Sequence, residues 1–415
     1  MTDLLLDRRT LLAGLSTFAP AAALARGPAY PAVNAVLDRF VPARLPGAVV
    51  AIGRGFAPPI IIARGRLAVD PAAPAVGGDS LWRIYSMTKP ITGIAAMLLI
   101  EQGKLGLDQP IADFLPAFGT LRVLANPGKD RTTRPAKAPI TVRHLLTHTA
   151  GLSYHIDGES PLRDDYIRLG LTPARVGAND PGPATAPSLA AFADRLATVP
   201  LLTDPGTAWR YSLGLDLLGR VIEVASGIPF DQFLATRIFV PLGLRDTHFT
   251  VPAAALARLA TNYGVGKNGL KPLDPGPTSV YAHPAAFPFG GAGLVSSARD
   301  YDRFLLMLLG EGAIGRTRIL APATARLAMS NLLPANAILP ADFGGPDGGG
   351  FGAGGRVSLR GPGAGTFGWA GAAGTIGWVD RRRALRGGVF LNYMPPATLS
   401  VNEDLRTAVY RDVAA

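Results

Sequence analysis

The chain of 415 residues is 48% hydrophobic and only 17% charged, which excludes a coiled coil or a disordered tail and is typical of a globular protein with a sizeable core. It has no cysteine, and this excludes a thiol nucleophile, a disulfide framework and a cysteine-ligated metal. The net charge of +11 would suit nucleic-acid binding, but the basic residues are spread along the chain and we predict no nucleic-acid partner.

The first 25 residues have the pattern of an export signal. An arginine pair, Arg8 and Arg9, precedes an apolar stretch over residues 11–24, which is shorter than the roughly 20 residues needed to span a bilayer. The stretch ends in Ala-Leu-Ala, a small-x-small cleavage pattern. We therefore predict a twin-arginine signal over residues 1–25 and a periplasmic or secreted mature protein. The alternative is an ordinary amphipathic N-terminal helix on a protein that stays in the cytoplasm.

The first predicted elements after this segment are two strands and a buried helix. Short apolar runs bounded by turn residues, Gly47–Gly53 and Ile60–Ala63, predict a β-hairpin. Residues 91–102 are apolar almost all round, which predicts a buried helix, and Gly103 is a suitable C-terminal stop. The residues just before this helix are therefore expected at a helix N-terminus in the centre of the protein.

The middle of the chain, from about residue 107 to 283, predicts helices joined by Pro- and Gly-rich loops, without convincing alternating strands. A β-meander pattern then follows, formed by residues 365–370, 374–380 and 385–393. Early and late strands most simply share one sheet, with the helical block inserted between them. We predict an α/β (α+β) fold with a discontinuous α/β domain, residues 26–110 and 285–415, and a helical domain, residues 111–284.

Two hydrolase signatures are missing from the sequence. Neither the Gly-x-Ser-x-Gly nucleophile elbow nor the zinc-binding His-Glu-x-x-His occurs. His144 and His148 have the i, i+4 spacing of two metal ligands on one helix face, but no carboxylate base lies between them. A helix-end histidine bonded to backbone is the favoured interpretation, and we predict no metal and no organic cofactor.

A candidate nucleophile lies immediately before the buried helix. One helical turn places Ser86 and Lys89 on the same face, so the lysine amine can reach the serine hydroxyl. A serine at a helix N-terminus also has a free backbone N–H that can hold an oxyanion. A lysine base must be neutral, so its pKa has to be lowered by burial or by the helix N-terminus. Tyr211, on a loop before the predicted helix 215–225, is the natural proton-relay partner, although a loop tyrosine taken alone is more often structural.

These motifs resemble a known family. The matching motifs are Ser86-x-x-Lys89, Tyr211-Ser212 and the stretch Phe367–Thr375, with supporting stretches at residues 141–152 and 291–300. They come in the order and approximate spacing of the penicillin-recognising serine hydrolases. The chain is most similar to the class C β-lactamase-related carboxylesterases, known as family VIII esterases, and the resemblance covers about residues 33–393.

The resemblance implies a β-lactamase/transpeptidase-like fold, with a mainly antiparallel sheet flanked by helices, an inserted all-helical domain and a site in the cleft between them. Carried over by motif, Ser86 would be the acylated nucleophile, and Lys89 with Tyr211 the general base pair. The backbone N–H groups of Ser86 and Ala372 would form the oxyanion hole.

The chain departs from the β-lactamases at two motifs. Their Lys-Thr/Ser-Gly strand motif is Trp369-Ala370-Gly371 here, and the third position of their Tyr-x-Asn motif is Leu213. The predicted substrate-binding residues are accordingly Trp369, Gly371 and Leu213. Loss of the lysine removes a cation for a substrate carboxylate, and loss of the amide removes a donor and acceptor. Both changes favour a neutral ester with a hydrophobic part.

We therefore predict a serine carboxylesterase that acts on a small-molecule ester. Three alternatives stay open from the sequence: hydrolysis of a β-lactam or D-amino-acid peptide by the same residues, acyl transfer to an alcohol, and a catalytically silent binding protein. No segment after the N-terminal stretch has the apolar length of a membrane span. The oligomeric state is not predicted.

Overall fold

The computed structural model describes residues 30–173, 175–176, 185–267, 269–340, 343 and 348–414. The predicted signal, residues 1–25, lies outside these ranges, so export stays a prediction. Among the described residues, every helix falls short of the length and apolar character that a bilayer crossing requires.

The strands of the described residues fall into one large sheet and several small ones. In chain order they are β1 (Gly47–Arg54), β2 (Ile60–Gly65), β3 (Leu81–Arg83), β4 (Arg122–Leu124), β5 (Thr133–Pro135), β6 (Asn262–Gly266), β7 (Gly269–Asp274), β8 (Val295–Ser297), β9 (Ala313–Ile314), β10 (Thr317–Arg318), β11 (Gly349–Phe351), β12 (Arg356–Ser358), β13 (Thr366–Ala370), β14 (Ile376–Asp380), β15 (Leu385–Phe390) and β16 (Tyr393–Met394).

The large sheet has seven strands in the order β11-β12-β13-β14-β15-β1-β2, and all neighbouring pairs are antiparallel. Strand β1 pairs with β15, with Val49 opposite Phe390. The prediction that early and late strands share one sheet is therefore confirmed, as is the mixed α/β class.

Among the described residues, some helices pack on the two faces of this sheet, and others belong to the middle of the chain between the early and late strands. They are α1 (Pro31–Phe40), α2 (Thr88–Glu101), α3 (Val142–Leu146), α4 (Arg163–Arg168), α5 (Leu189–Ala197), α6 (Gly214–Ser226), α7 (Phe230–Leu234), α8 (Val240–Leu242), α9 (Ala298–Leu309), α10 (Pro322–Ala328) and α11 (Val401–Ala414).

Two hydrophobic clusters hold the helices onto the sheet. Because successive side chains of a strand point to opposite faces, Val50 of β1 packs with α1 and α11 while its neighbour Val49 packs with α2 and α9. The cluster that contains Val49, α2 and α9 continues into the helices of the middle of the chain, including α5 and α6. The resulting core is shared between the sheet and the helical part of the chain.

Helix α2 lies at the junction of these two parts. Every residue from Thr88 to Leu99 is buried, which fits a helix that is apolar on all sides, and the helix ends before Gly103 as predicted. Ser86 lies two residues before the start of this helix, so the fold places the candidate nucleophile between the sheet and the helical region.

The expectation that residues 107–283 lack strands is wrong. Strands β4 and β5 form one antiparallel pair, β6 and β7 form another, and β6 also pairs in parallel with β16. These strands are short and partly exposed, and β5, β6 and β7 also contain Gly or Pro, so they show no alternating hydrophobic pattern. The domain boundaries at residues 110 and 284 stay a prediction.

Candidate active site

Ser86 lies in a tight turn that leads into α2. The preceding residue, Tyr85, has a left-handed backbone with φ of +40°, which is costly for a residue with a side chain. Its buried side chain packs against Ala292 and Ala373, and its hydroxyl donates to the carbonyl oxygen of Arg175 at 3.1 Å. The surrounding packing therefore maintains a strained turn at the residue next to the candidate nucleophile.

The structure brings the three predicted catalytic side chains together. The Nζ atom of Lys89 donates to Ser86 Oγ at 3.2 Å, and the Tyr211 hydroxyl donates to the same Oγ at 2.6 Å. Lys89 Nζ also lies 4.6 Å from the centroid of the Tyr211 ring. Both groups lie within hydrogen-bond distance of Ser86 Oγ, and in their deprotonated forms they can accept its proton, so the distances suit general base catalysis.

Neighbouring loops hold Tyr211 in place. The backbone N–H of Ser212 donates to Nδ1 of the buried His148 at 3.2 Å, and the N–H of Leu213 donates to the carbonyl oxygen of Ser153 at 3.1 Å. The Tyr211 ring also stacks on Tyr154, with centroids 5.5 Å apart. These contacts fix the loop before α6 and therefore the position of the phenol.

The two predicted oxyanion donors line the same cleft. Ala372 lies in the turn after β13, which is closed by a hydrogen bond from Gly371 N–H to the carbonyl oxygen of Thr375 at 2.7 Å. Within the described part of the chain, the backbone N–H groups of Ser86 and Ala372 have no acceptor. Both are available to a substrate oxygen.

Gly371, directly after β13, lies against the backbone of the segment that carries Ser86. A Cβ atom at this position would lie 2.3 Å from the carbonyl oxygen of Ile84, two residues before Ser86. Only glycine lets the two backbones approach this closely. The contact sets the separation between the Ser86 turn and the Ala372 N–H.

The cleft above Ser86 has a volume of about 390 Å³. Ser86, Tyr211, Trp369, Gly371 and Ala372 all line it, so the cleft contains most of the residues that the sequence predicts for the site. Its apolar lining is Ile156, Phe343, Ile376, Trp378 and Pro396, and its charged lining is Arg356, Glu403 and Arg406. The cleft is therefore apolar and aromatic in large part, with charged groups that the sequence reasoning did not assign to it.

Leu213 does not line this cleft. Its side chain is completely buried and belongs to the main hydrophobic core, at the N-terminal end of α6. The prediction that Leu213 binds substrate is corrected here, because a side chain packed in the core offers no surface to a ligand.

The two histidines with metal-ligand spacing have other partners. His144 Nδ1 accepts the backbone N–H of Thr141 at 3.1 Å in a capping box, and His148 Nδ1 lies 3.1 Å from Ser212 Oγ. Across the described ranges, no group of three or more His, Cys, Asp or Glu side chains is arranged to hold a metal ion. Both histidines serve the local loop structure.

Two buried residues near Lys89 were missed by the sequence reasoning. Tyr154 lies with its ring centroid 5.7 Å from Lys89 Nζ, and Asp216 is a fully buried carboxyl on α6. The available signal for Asp216 was a single acidic residue within the apolar run 213–222. Tyr154 had a weaker signal, because it lies just after the motif stretch of residues 141–152 and a loop tyrosine taken alone is more often structural.

Comparisons with known proteins extend this picture. The beta-lactamase family matches the chain over residues 34–411. Protein Rv1367c of Mycobacterium tuberculosis is 37% identical over 315 residues, which cover 73% of this chain and 75% of that protein. Esterase EstB of Burkholderia gladioli is 34% identical over 292 residues, covering 66% of this chain and 68% of EstB. The solved structure of EstCE1, described as a hydrolase with promiscuous acyltransferase activity, has a TM-score of 0.75 and 30% identity, covering 92% of this chain and 98% of EstCE1.

Proposed function

This chain belongs to the beta-lactamase family, in the branch of the family VIII esterase-like serine hydrolases, and we propose that it hydrolyses carboxylic esters through an acyl-enzyme on Ser86. The observation that carries the proposal is the convergence of Lys89 Nζ and Tyr211 Oη on Ser86 Oγ. A hydroxyl flanked by two groups that can accept its proton is an activated nucleophile.

The proposed reaction has two steps. In the first, Ser86 Oγ attacks the ester carbonyl carbon while its proton passes to the Lys89 and Tyr211 pair, and the backbone N–H groups of Ser86 and Ala372 bind the developing oxyanion. The same pair returns the proton to the alcohol as the ester C–O bond breaks. In the second step, water attacks the acyl-enzyme by the same route, which releases the carboxylic acid and regenerates the Ser86 hydroxyl.

The wall of the cleft next to Ser86 favours a neutral ester. Trp369 occupies the position where β-lactamases carry a lysine, and its ring lies 5.9 Å from the Tyr211 ring, centroid to centroid. The Phe351 ring packs edge-on against Trp369, with the ring centroids 5.1 Å apart. An aromatic wall of this kind binds hydrocarbon through burial of apolar surface, and Trp369 itself provides no cation for a substrate carboxylate.

Turnover of p-nitrophenyl esters of short acyl chains tests the proposal. We expect Ser86→Ala and Lys89→Ala to abolish activity, and Lys104→Ala, at an exposed lysine beyond the end of α2, to retain it. Nitrocefin measured alongside separates esters from β-lactams. Turnover of either active-site variant at the wild-type rate, or nitrocefin as the better substrate, would contradict the ester assignment.

Acyl transfer is a second candidate, supported by the likeness to EstCE1, whose description names promiscuous acyltransferase activity. In that reaction an alcohol replaces water in the second step and attacks the Ser86 acyl-enzyme. Product analysis with an added short alcohol distinguishes the two outcomes, because transfer yields a new ester and hydrolysis yields only the acid.

A further inference from the structure

A carboxyl group that the proposed reaction does not use lies beside the site. Asp216 is the third residue of α6, and its side chain is fully buried. Its Oδ1 accepts the backbone N–H of Gly291 at 2.8 Å, whereas Oδ2 is buried without a hydrogen-bond partner among the described residues. Burial of a carboxylate with an unpaired oxygen costs free energy, so its place in an apolar helix suggests a role in function.

Gly291 connects this carboxyl to Lys89. The N–H of Gly291 donates to Asp216, and its carbonyl oxygen accepts a hydrogen bond from Lys89 Nζ at 2.7 Å. A Cβ atom at residue 291 would lie 2.4 Å from Asp216 Oδ2, so glycine is what allows the carboxyl to pack against this backbone. Gly291 thus bonds to Asp216 through its N–H and to Lys89 through its carbonyl oxygen.

Other titratable groups lie around Asp216 and Gly291. They are Lys89 from α2, His148 and Tyr154 from the loop after α3, and Tyr211 from the loop before α6. Burial, with a contribution from the Lys89 charge, holds the pKa of His148 well below its usual value, so this imidazole is neutral. Burial, with contributions from Asp216 and Tyr211, holds the pKa of Tyr154 well above its usual value. In this set, Asp216 and Lys89 are the acid and the base that can form an ion pair.

Burial raises the pKa of Asp216 to about 7, and the Lys89 charge and the Gly291 N–H act in the opposite direction. Its folded-state pKa therefore lies above the usual value, so the carboxyl is neutral below about pH 7 and ionised above it. The charge beside Lys89 consequently changes within the pH range in which esterase activity can be measured.

We propose that Asp216 is a positioning residue, whose carboxylate holds Gly291 against Lys89 and faces the positive charge that Lys89 gains when it takes the proton of Ser86. This inference rests on the proposed function, because it concerns the base that activates Ser86. Asp216 acts through Gly291 and Lys89 and does not contact the substrate. The covalent steps of the proposed reaction are unchanged.

The Asp216→Asn variant separates charge from geometry. Its amide oxygen can still accept the Gly291 N–H, but the charge is lost, so the ammonium form of Lys89 becomes less stable. We expect the step near pH 7 that reports Asp216 to disappear from the pH profile of kcat, with kcat above pH 7 reduced about tenfold and KM little changed, because no carboxylate then faces the positive charge that Lys89 gains with the Ser86 proton. The Asp216→Glu variant keeps the charge and should have a pH profile closer to that of the wild type.

Asp300→Asn is the matched control. Asp300 is also the third residue of a helix, α9, it is buried, and its pKa is raised to about 6 by burial. Its hydrogen bonds go to the backbone N–H of Asp246 and the hydroxyl of Thr247, outside the candidate site. We expect its pH profile to match that of the wild type.

Two readouts keep this test separate from the test of the proposed function. The first is turnover of p-nitrophenyl esters against pH, and the second is the rate at which a fluorophosphonate labels Ser86 against pH. A wild-type protein that is labelled but does not cleave esters contradicts the proposed function, while the labelling rate still tests Asp216. An Asp216→Asn variant with wild-type kcat and pH profile, or a control with the same change in its pH profile, overturns the proposal. If Asp216→Asn does not fold, Gly291→Ala, which displaces the carboxyl, should change the same step of the pH profile, and an unchanged step overturns the proposal equally.

Discussion

Replacing Gly371 by alanine tests whether the contact between β13 and the Ser86 turn sets the oxyanion hole. The added Cβ would lie 2.3 Å from both Ile84 O and Thr375 Oγ1, and contacts under 3.0 Å essentially never occur. The backbones must therefore separate by about 0.7 Å. Ile84 O cannot move freely, because it accepts the Met87 N–H at 3.0 Å within the turn that carries Ser86.

The size of the effect follows from this displacement. Moving β13 away from the turn pulls the Ala372 N–H away from the position of the oxyanion, and loss of one such donor typically costs about 10²- to 10³-fold in kcat. A shift of somewhat less than 1 Å should therefore reduce kcat by about 10²-fold. KM should change by only about threefold, because the donor acts mainly in the transition state. Overpacking should also lower stability by about 1–3 kcal/mol.

Steady-state kinetics with a p-nitrophenyl ester, together with thermal unfolding, measure both quantities. Gly77→Ala is the control, because no atom lies within 4 Å of a Cβ built at that position. We expect the control to match the wild type in kcat and in melting temperature. A folded Gly371→Ala variant with wild-type kcat would refute the reasoning, since the close contact would then have no bearing on the Ala372 donor.

Three further predictions concern the base, the buried acid and the N-terminus. Tyr211→Phe should lose about 10²- to 10⁴-fold in kcat with little change in KM, because the phenol is the group nearest to Ser86 Oγ, at 2.6 Å. Steady-state kinetics on a purified variant with an unchanged circular dichroism spectrum measure this loss. A loss below tenfold would contradict the role of Tyr211 as base. Asp216 has a folded pKa of about 7 against a usual value of 3.8, so the folded state binds the proton more tightly and its stability should fall as the pH rises from about 4 to 7, by about 4 kcal/mol in total. Asp216→Asn should therefore gain stability relative to the wild type at pH 8 but not at pH 4, as measured by denaturant unfolding, and an equal difference at both values would exclude this linkage. Finally, N-terminal sequencing after expression in a bacterial host should find a mature chain that starts near Arg26, whereas an intact leader on cytoplasmic protein would argue against export.

Much of the fold could be predicted from the sequence, because the elements that position the site have strong local patterns. The apolar runs of β1 and β2, the late meander and the all-round apolar α2 depend on periodicity within a single segment. Strands β6 and β7 were missed because they are short and partly exposed, so burial does not impose an alternating pattern on them.

The sequence also predicted the three side chains that meet in the candidate site. Ser86 and Lys89 are one helical turn apart, so their proximity follows from helix geometry alone. Tyr211 is 125 residues away from Ser86, and its approach to 2.6 Å depends on how the loop before α6 is anchored to His148 and Ser153. The motif order indicated Tyr211 through resemblance, whereas the distance required the folded chain.

Other features of the site were decided by the tertiary structure alone. Leu213 follows the motif tyrosine by two residues, but the start of α6 turns its side chain into the core, so motif position did not determine its exposure. The left-handed backbone of Tyr85 and the burial of Asp216 against Gly291 arise from packing between segments far apart in the chain. Local sequence determines which residues form a helix or strand, but the cost of burying a charge or straining a turn depends on neighbours brought in from elsewhere, and that is why these features appear only in the folded protein.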